Sequence, residues 1–131
     1  DWDAVLNFEG ETGPYIQYTH ARLCSILRKY GKPVITDIRY GLLKEDEAVI
    51  LTKNLSLFAS TIMKAAEAYE PSLISNYLID VCSNLNRFYN AHRVLSDDEE
   101  LTRVRILLVD STRQVIKNGL NILGINAPDR M

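Results

Sequence analysis

Residues 97–124, DDEELTRVRILLVDSTRQVIKNGLNILG, decide the fold class. Leu101, Leu108, Val115 and Ile122 recur every seven residues, and Val104 and Ile116 widen the same stripe. That spacing predicts an amphipathic helix with one apolar face. The acidic run Asp97-Asp98-Glu99-Glu100 suits the positive end of a helix dipole, with Asp97 or Asp98 as N-cap. Gly124 is a natural C-terminal stop, and Pro128 forbids continuation.

Working outward, three more stretches carry the same period. Upstream, Pro71 opens a helix whose inner face is Ile74, Leu78, Val81, Leu85 and Phe88, and a loop over Ala91 to Ser96 joins it to the last helix. Before that, Glu45, Asp46 and Glu47 begin a helix carrying Leu51, Leu55, Phe58, Ile62 and Ala65 on one stripe. The first long helix starts at Thr12-Gly13-Pro14, runs through Ile16, Leu23, Ile26, Leu27 and Tyr30, and is stopped by Gly31 and Pro33. A short helical turn over Trp2 to Phe8 is expected ahead of it. Residues 31–43 read as a connection, in which Val34-Ile35 alone is strand-like. The prediction is an all-α domain over residues 1–131: a bundle of four long helices plus short helical turns.

Composition agrees with a soluble domain. The chain has 131 residues, 47% apolar and 24% charged, enough to bury a core without disulfide or metal. No apolar run is long enough to span a bilayer, and Asp1-Trp2-Asp3 does not open a signal peptide. The absence of an initiator Met fits a piece of a longer protein. Cys24 and Cys82 have no CxxC partner and read as small buried hydrophobes in a reducing cytosol.

The net charge of −2 does not announce nucleic-acid binding, but its distribution is uneven. Arg22, Arg28, Lys29, Lys32 and Arg39 face a single acid, Asp37, across residues 22–39. A second basic stretch lies at Arg103 to Lys117. Such clusters are either solvated faces or binding surfaces.

No motif of catalysis is present. There is no GxxxxGK[ST] or GxGxxG loop, and His20 and His92 belong to no HExxH. Catalytic, metal-ligating and cofactor-binding residues are therefore all expected to be absent. The segment Gly10-Glu11-Thr12-Gly13-Pro14-Tyr15-Ile16-Gln17-Tyr18-Thr19-His20-Ala21-Arg22 is the informative one. Tyr15, Tyr18 and Arg22 are spaced i, i+3, i+7 and share a helix face. Two readings are open there. The rings and the guanidinium plane suit unpaired bases and phosphates, or the tyrosines form a buried pair with Arg22 snorkelling to water.

Three segments resemble the C-terminal domain of arginyl-tRNA synthetases. The first is Phe8 to Arg22, as it opens that domain. The second combines Glu70-Pro71, Tyr77-Leu78-Ile79-Asp80, Asn86-Arg87-Phe88-Tyr89 and Val94-Leu95. The third is the tail Gly119-Leu120-Asn121-Ile122-Leu123-Gly124-Ile125-Asn126-Ala127-Pro128-Asp129-Arg130-Met131. Leu85 stands where the family often has Phe, and Asp129 where it often has Glu.

The resemblance implies a helical anticodon-binding domain of the DALR type. Its partners would be the anticodon stem-loop of an arginine tRNA and, in cis, the remainder of a cytoplasmic synthetase. The family's HIGH and KMSKS motifs are absent from this stretch, so ATP and magnesium would belong to the parent enzyme. The resemblance also implies tRNA-binding roles for Tyr18, Arg22, Tyr89, Arg93 one helical turn on, and Met131, with Tyr15 either a reader or a packing residue. A protein-interaction bundle that binds no RNA is the alternative.

Overall fold

The computed structural model describes residues 11–131. The expected turn over Trp2 to Phe8 and the Phe8-Glu9-Gly10 opening of the motif lie outside them. Among the described residues are five helices and no strand: α1 (Gly13–Tyr30), α2 (Asp46–Ser56), α3 (Phe58–Ala68), α4 (Ser72–Ala91) and α5 (Glu99–Ile122). A single 3₁₀ turn, Tyr40–Leu42, interrupts the long connection, and Val34-Ile35 forms no strand. No helix is long and apolar enough to cross a membrane among the described residues.

The all-α class is as expected, but the second of the four expected helices is two. The break falls at Leu57, whose N–H bonds the Asn54 carbonyl three residues back at 3.2 Å. The Tyr77 hydroxyl of α4 donates to that same carbonyl at 2.7 Å. A side chain inserted into the backbone ladder kinks a helix, and here the insertion comes from a tertiary neighbour. Burial pushes the Tyr77 hydroxyl up to about 12, so it stays a donor at any working pH. Tyr77→Phe should cost about 0.5–1.5 kcal/mol in urea unfolding, and an unchanged midpoint would refute this account of the break.

Helix α4 is central and packs against all four others. Ile74, Tyr77, Leu78, Val81, Cys82, Leu85 and Phe88 are all buried, covering the expected inner face. Ile16 and Leu23 of α1, Leu51 of α2 and Ile106, Ile116 and Leu120 of α5 complete the core. Cys82 lies within it, its thiol pushed up to about 12 by burial, and Cys24 is also a free buried thiol.

Along α5 the apolar register differs from the heptad reading. Leu108 is buried, Leu101 and Val115 are half-buried, and Ile122 is 52% exposed. A straight helix drifts about 20° per heptad against a seven-residue row, so three heptads carry Ile122 off the core face. The buried line passes instead through Val109, Thr112, Ile116, Gly119 and Leu120. Asp98 is the N-cap, its side chain accepting from the Leu101 N–H at 3.2 Å.

Three of the four bases of the second basic stretch are paired with acids, and Lys117 is exposed. Arg103 pairs with Glu99 and Arg113 with Asp110. Arg105 is buried, donating to Glu45 at 2.6 Å and to the Arg93 carbonyl at 2.6 Å. Burial alone would raise the Glu45 pKa, but the Arg105 hydrogen bond and charge more than offset it and hold the carboxyl below the ordinary glutamate value. An unfolded Glu45 then binds its proton more readily than the folded one. Stability is full above roughly pH 4.3 and is lost as pH falls through the lower folded value. Glu45→Gln should flatten that acid limb of the stability profile, measured by urea unfolding at stepped pH.

Candidate nucleic-acid interface

The surface begins with the geometry of α1. Pro14 lies in its first turn, and Gly31 ends it in the left-handed region at φ 68°. The resulting helix is long enough to display two faces. One carries Ile16 and Leu23 inward. The other carries the sequence-predicted trio outward, with Tyr18 60% exposed and Tyr15 40% exposed. A buried tyrosine pair is therefore not what forms.

The trio is tied to α4 by one asparagine. Asn86 donates from Nδ2 to the Tyr15 hydroxyl at 3.0 Å and accepts at Oδ1 from Arg22 Nη1 at 3.2 Å. The Arg22 guanidinium lies over the Tyr89 ring, 4.4 Å from its centroid. At an exposed site such a contact contributes about 0.5–1 kcal/mol, and it fixes the guanidinium plane in advance. Tyr15 is thus held between solvent and core, and burial raises its pKa. Asn86 is legible in the sequence only as part of the family-like segment Asn86 to Tyr89, since nothing in a helical asparagine marks which neighbours it will bridge.

Two hollows flank the Arg22–Tyr89 pair. The first, about 510 Å³, is lined by Tyr18, Arg22, Arg28, Arg130 and Met131 together with Ala21 and Ser25. The second, about 360 Å³, is lined by Ile26, Lys29, Tyr89, His92, Arg93 and Leu95, with Val94. Tyr18, Arg22 and Met131 therefore converge on one hollow, and Tyr89 and Arg93 on the other. Arg93 is not one helical turn beyond Tyr89 on the same helix. α4 ends at Ala91, His92 is extended, and Arg93 stands on the loop with its carbonyl held by buried Arg105.

Met131 reaches the first hollow because the tail folds back along α1. Gly124, at φ 76°, turns the chain, and the Ile125 N–H bonds the Leu120 carbonyl at 2.9 Å in a Schellman-type closure. Gln17 Nε2 then donates to the Asn126 carbonyl at 2.9 Å. His20 Nδ1 bonds the Pro128 carbonyl at 2.9 Å, and Arg28 Nη1 donates to the Asp129 carbonyl at 3.1 Å. Gln17, His20, Cys24 and Arg28 step i, i+3, i+7, i+11 along one face of α1. That spacing was legible, but the tail it grips lies more than 100 residues away.

Electrostatics complete the surface. Arg22, Arg28 and Arg130 bring three guanidinium groups to one hollow beside an exposed ring and a thioether. The acidic run Asp97 to Glu100 lies at the start of α5, where Asp97 and Glu99 border a separate hollow with Lys29 and Lys32. The chain's weak net charge thus hides a local concentration of cations around stacking groups.

Residues 16–131 match the DALR anticodon binding domain. The chain belongs to that family. It is 46% identical over its whole length to an arginine–tRNA ligase of Clostridium botulinum, and 40% identical over 99% of its length to that of Alkaliphilus metalliredigens. In each case it spans 23% of the relative's length. Among solved structures, it resembles the arginyl-tRNA synthetase of Thermus thermophilus at 37% identity and TM-score 0.78, covering 98% of this chain and 23% of that one. The enzyme from Plasmodium falciparum is similar at 26% identity and TM-score 0.77, over 100% of this chain and 23% of that one. A DALR domain is a non-catalytic part of such relatives, and the family assignment disfavours an interaction bundle that binds no RNA.

Proposed function

We propose that this DALR domain reads the anticodon loop of an arginine tRNA as the C-terminal part of a cytoplasmic arginyl-tRNA synthetase. The observation that carries this reading is the hollow of Tyr18, Arg22, Arg28, Arg130 and Met131. A single-stranded loop offers splayed bases and a dense phosphate backbone. Tyr18 supplies an exposed ring for a base to stack on, and the soft Met131 thioether suits a flat ring. Arg22 is preoriented by Tyr89 and Asn86 and presents a planar fork. Arg28 and Arg130 are the phosphate partners. In the second hollow Tyr89 and Arg93 give a further ring and cation, and Tyr15 supports Arg22 through Asn86 more than it reads.

In this reading the rest of the synthetase, in cis, binds ATP with magnesium and performs the aminoacylation. The domain contributes position and discrimination. Calorimetric titration with an arginine-tRNA anticodon stem-loop tests it. Tyr18→Ala should weaken binding by about 1–3 kcal/mol, the contribution of one base stack. Arg130→Gln should flatten the dependence of log K on log salt by about 0.7 for a single-stranded contact. Unchanged affinity and unchanged slope together would remove this hollow from the interface.

A further inference from the structure

The tail clasp contains a set of side chains that the anticodon reading leaves unused. His20, Cys24 and Asp129 each offer one ligand atom, and these atoms lie within 4.8 Å of one another. The Cys24 Sγ is 3.8 Å from His20 Nδ1, 3.9 Å from His20 Nε2 and 3.8 Å from Asp129 Oδ1, so it stands beside the ring, and joint ligation with Nε2 requires the Cys24 side chain to turn about its Cα–Cβ bond. In a tetrahedral zinc site, with Zn–S about 2.3 Å and Zn–N or Zn–O about 2.0 Å, ligand atoms stand about 3.5 Å apart. The two sulfur spacings exceed that by a few tenths of an ångström, and the His20 and Asp129 ligand atoms lie within 4.8 Å of each other.

A second observation points the same way. His20 Nδ1 is committed to the Pro128 carbonyl at 2.9 Å. A carbonyl only accepts, so Nδ1 carries the proton and Nε2 keeps its lone pair. Metal-binding histidines are oriented by this arrangement, with one ring nitrogen donating to a backbone carbonyl and the other free to ligate.

We propose that His20 Nε2, Cys24 Sγ and an Asp129 carboxylate oxygen form a binding site for a borderline-soft divalent cation of the zinc class. The ligand set is one nitrogen, one sulfur and one oxygen, which suits zinc better than magnesium or calcium. Cys24 gives up its thiol proton to solvent as the metal–sulfur bond forms. Thiolate and carboxylate together then balance the dication, so the loaded site is neutral, one charge more positive than the empty one, in a surrounding that includes Arg28, Arg113 and Lys117. Three protein ligands leave a fourth position for water. No CxxC spacing marks this set in the sequence; its one local signal is the i, i+4 spacing of His20 and Cys24 on α1, and the third ligand arrives only when the tail folds back.

The metal would staple Asp129 to α1 two residues before Met131. Loading should therefore sharpen the placement of Arg130 and Met131 in the first hollow. That consequence rests on the anticodon reading, whereas metal binding itself does not, so the two can fail separately.

Cobalt(II) titration of the metal-free chain, kept reduced, decides the matter. One equivalent should produce a thiolate-to-cobalt charge-transfer band with the intense visible bands of four-coordinate cobalt, displaced by zinc. The same zinc should raise the melting temperature, since a ligand that binds only the folded state stabilises it. Cys24→Ser should abolish the charge-transfer band, and Cys82→Ala should keep it. Asp129→Asn, in the exposed tail, should leave the fold intact by circular dichroism and weaken cobalt binding at least tenfold. Absence of a thiolate band at one equivalent overturns the proposal. So does a band that survives in Cys24→Ser, or cobalt affinity unchanged in Asp129→Asn.

Discussion

Arg22→Ala is expected to weaken binding of an arginine-tRNA anticodon stem-loop by about 1–3 kcal/mol, roughly 5- to 150-fold in Kd. The expectation follows from the proposed reading and from how the guanidinium is held. It lies 4.4 Å over Tyr89, donates to Asn86, and lines the hollow that Tyr18 and Met131 share. A preoriented fork loses little side-chain freedom when it meets a phosphate or a base, so most of its interaction energy reaches the affinity. Arg22→Lys is the sharper variant. It keeps the charge but has no planar fork, and should recover only a minor part of the loss. Stability should change by less than about 1 kcal/mol in both, because the contact is exposed. Isothermal titration and urea unfolding on the same samples separate the two effects. Affinity equal to that of the parent chain in both variants would take Arg22 out of the interface. A large loss of stability would instead make it a packing residue.

The second large effect concerns the core. Leu78→Ala should destabilise the fold by about 2–5 kcal/mol, the usual cost of emptying a fully buried leucine site. Its partner across the α4–α5 interface is Gly119. A Cβ built there would lie 2.7 Å from Leu78 Cδ2 and 2.9 Å from Cδ1. Real carbon atoms do not approach so closely, so Gly119→Ala alone overpacks the site and costs about 1–3 kcal/mol, less the roughly 1 kcal/mol of helix propensity that alanine regains. In the double variant the alanine methyl enters space that Leu78 has vacated. The two changes should then cost clearly less than their sum, with a coupling of about 0.5–3 kcal/mol in a denaturation cycle. Simple additivity would show that the two helices do not interlock at this point.

Gly119 also shows how a sequence can mislead by being locally consistent. Inside a helical pattern a glycine reads as a weak spot or an early stop. Here it leaves room for the Leu78 side chain of α4, which only the position of Leu78 reveals. The heptad row of Leu101, Leu108, Val115 and Ile122 misleads in a related way. It identified the helix correctly and its buried line incorrectly, because a seven-residue row drifts around a helix with 3.6 residues per turn. The break at Leu57 had no local signal either. Its cause is the Tyr77 hydroxyl at 2.7 Å from the Asn54 carbonyl, a contact between residues 23 apart.

What the sequence by itself determined is therefore the helical class, most helix ends, a cap at Asp97 or Asp98, and that Tyr15, Tyr18 and Arg22 share one helix face; that this face points outward and that Asp98 is the cap came from the structure. The former depend on interactions within a few residues: apolar period, capping hydrogen bonds, and the glycines and prolines that stop a helix. The basic stretch at residues 22–39 was legible too, as was the family resemblance of the three ordered segments. Tertiary structure decided the rest. It paired three of the four bases of the second basic stretch with acids, burying Arg105 against Glu45. It divided the candidate residues between two hollows and ended α4 before Arg93. It also brought the tail along Gln17, His20, Cys24 and Arg28, so that Met131 meets Tyr18 and Asp129 meets Cys24. The physical reason is the same in each case. Spacing along a helix fixes which side chains share a face, but the partner each face meets is chosen by core packing between elements far apart in the chain.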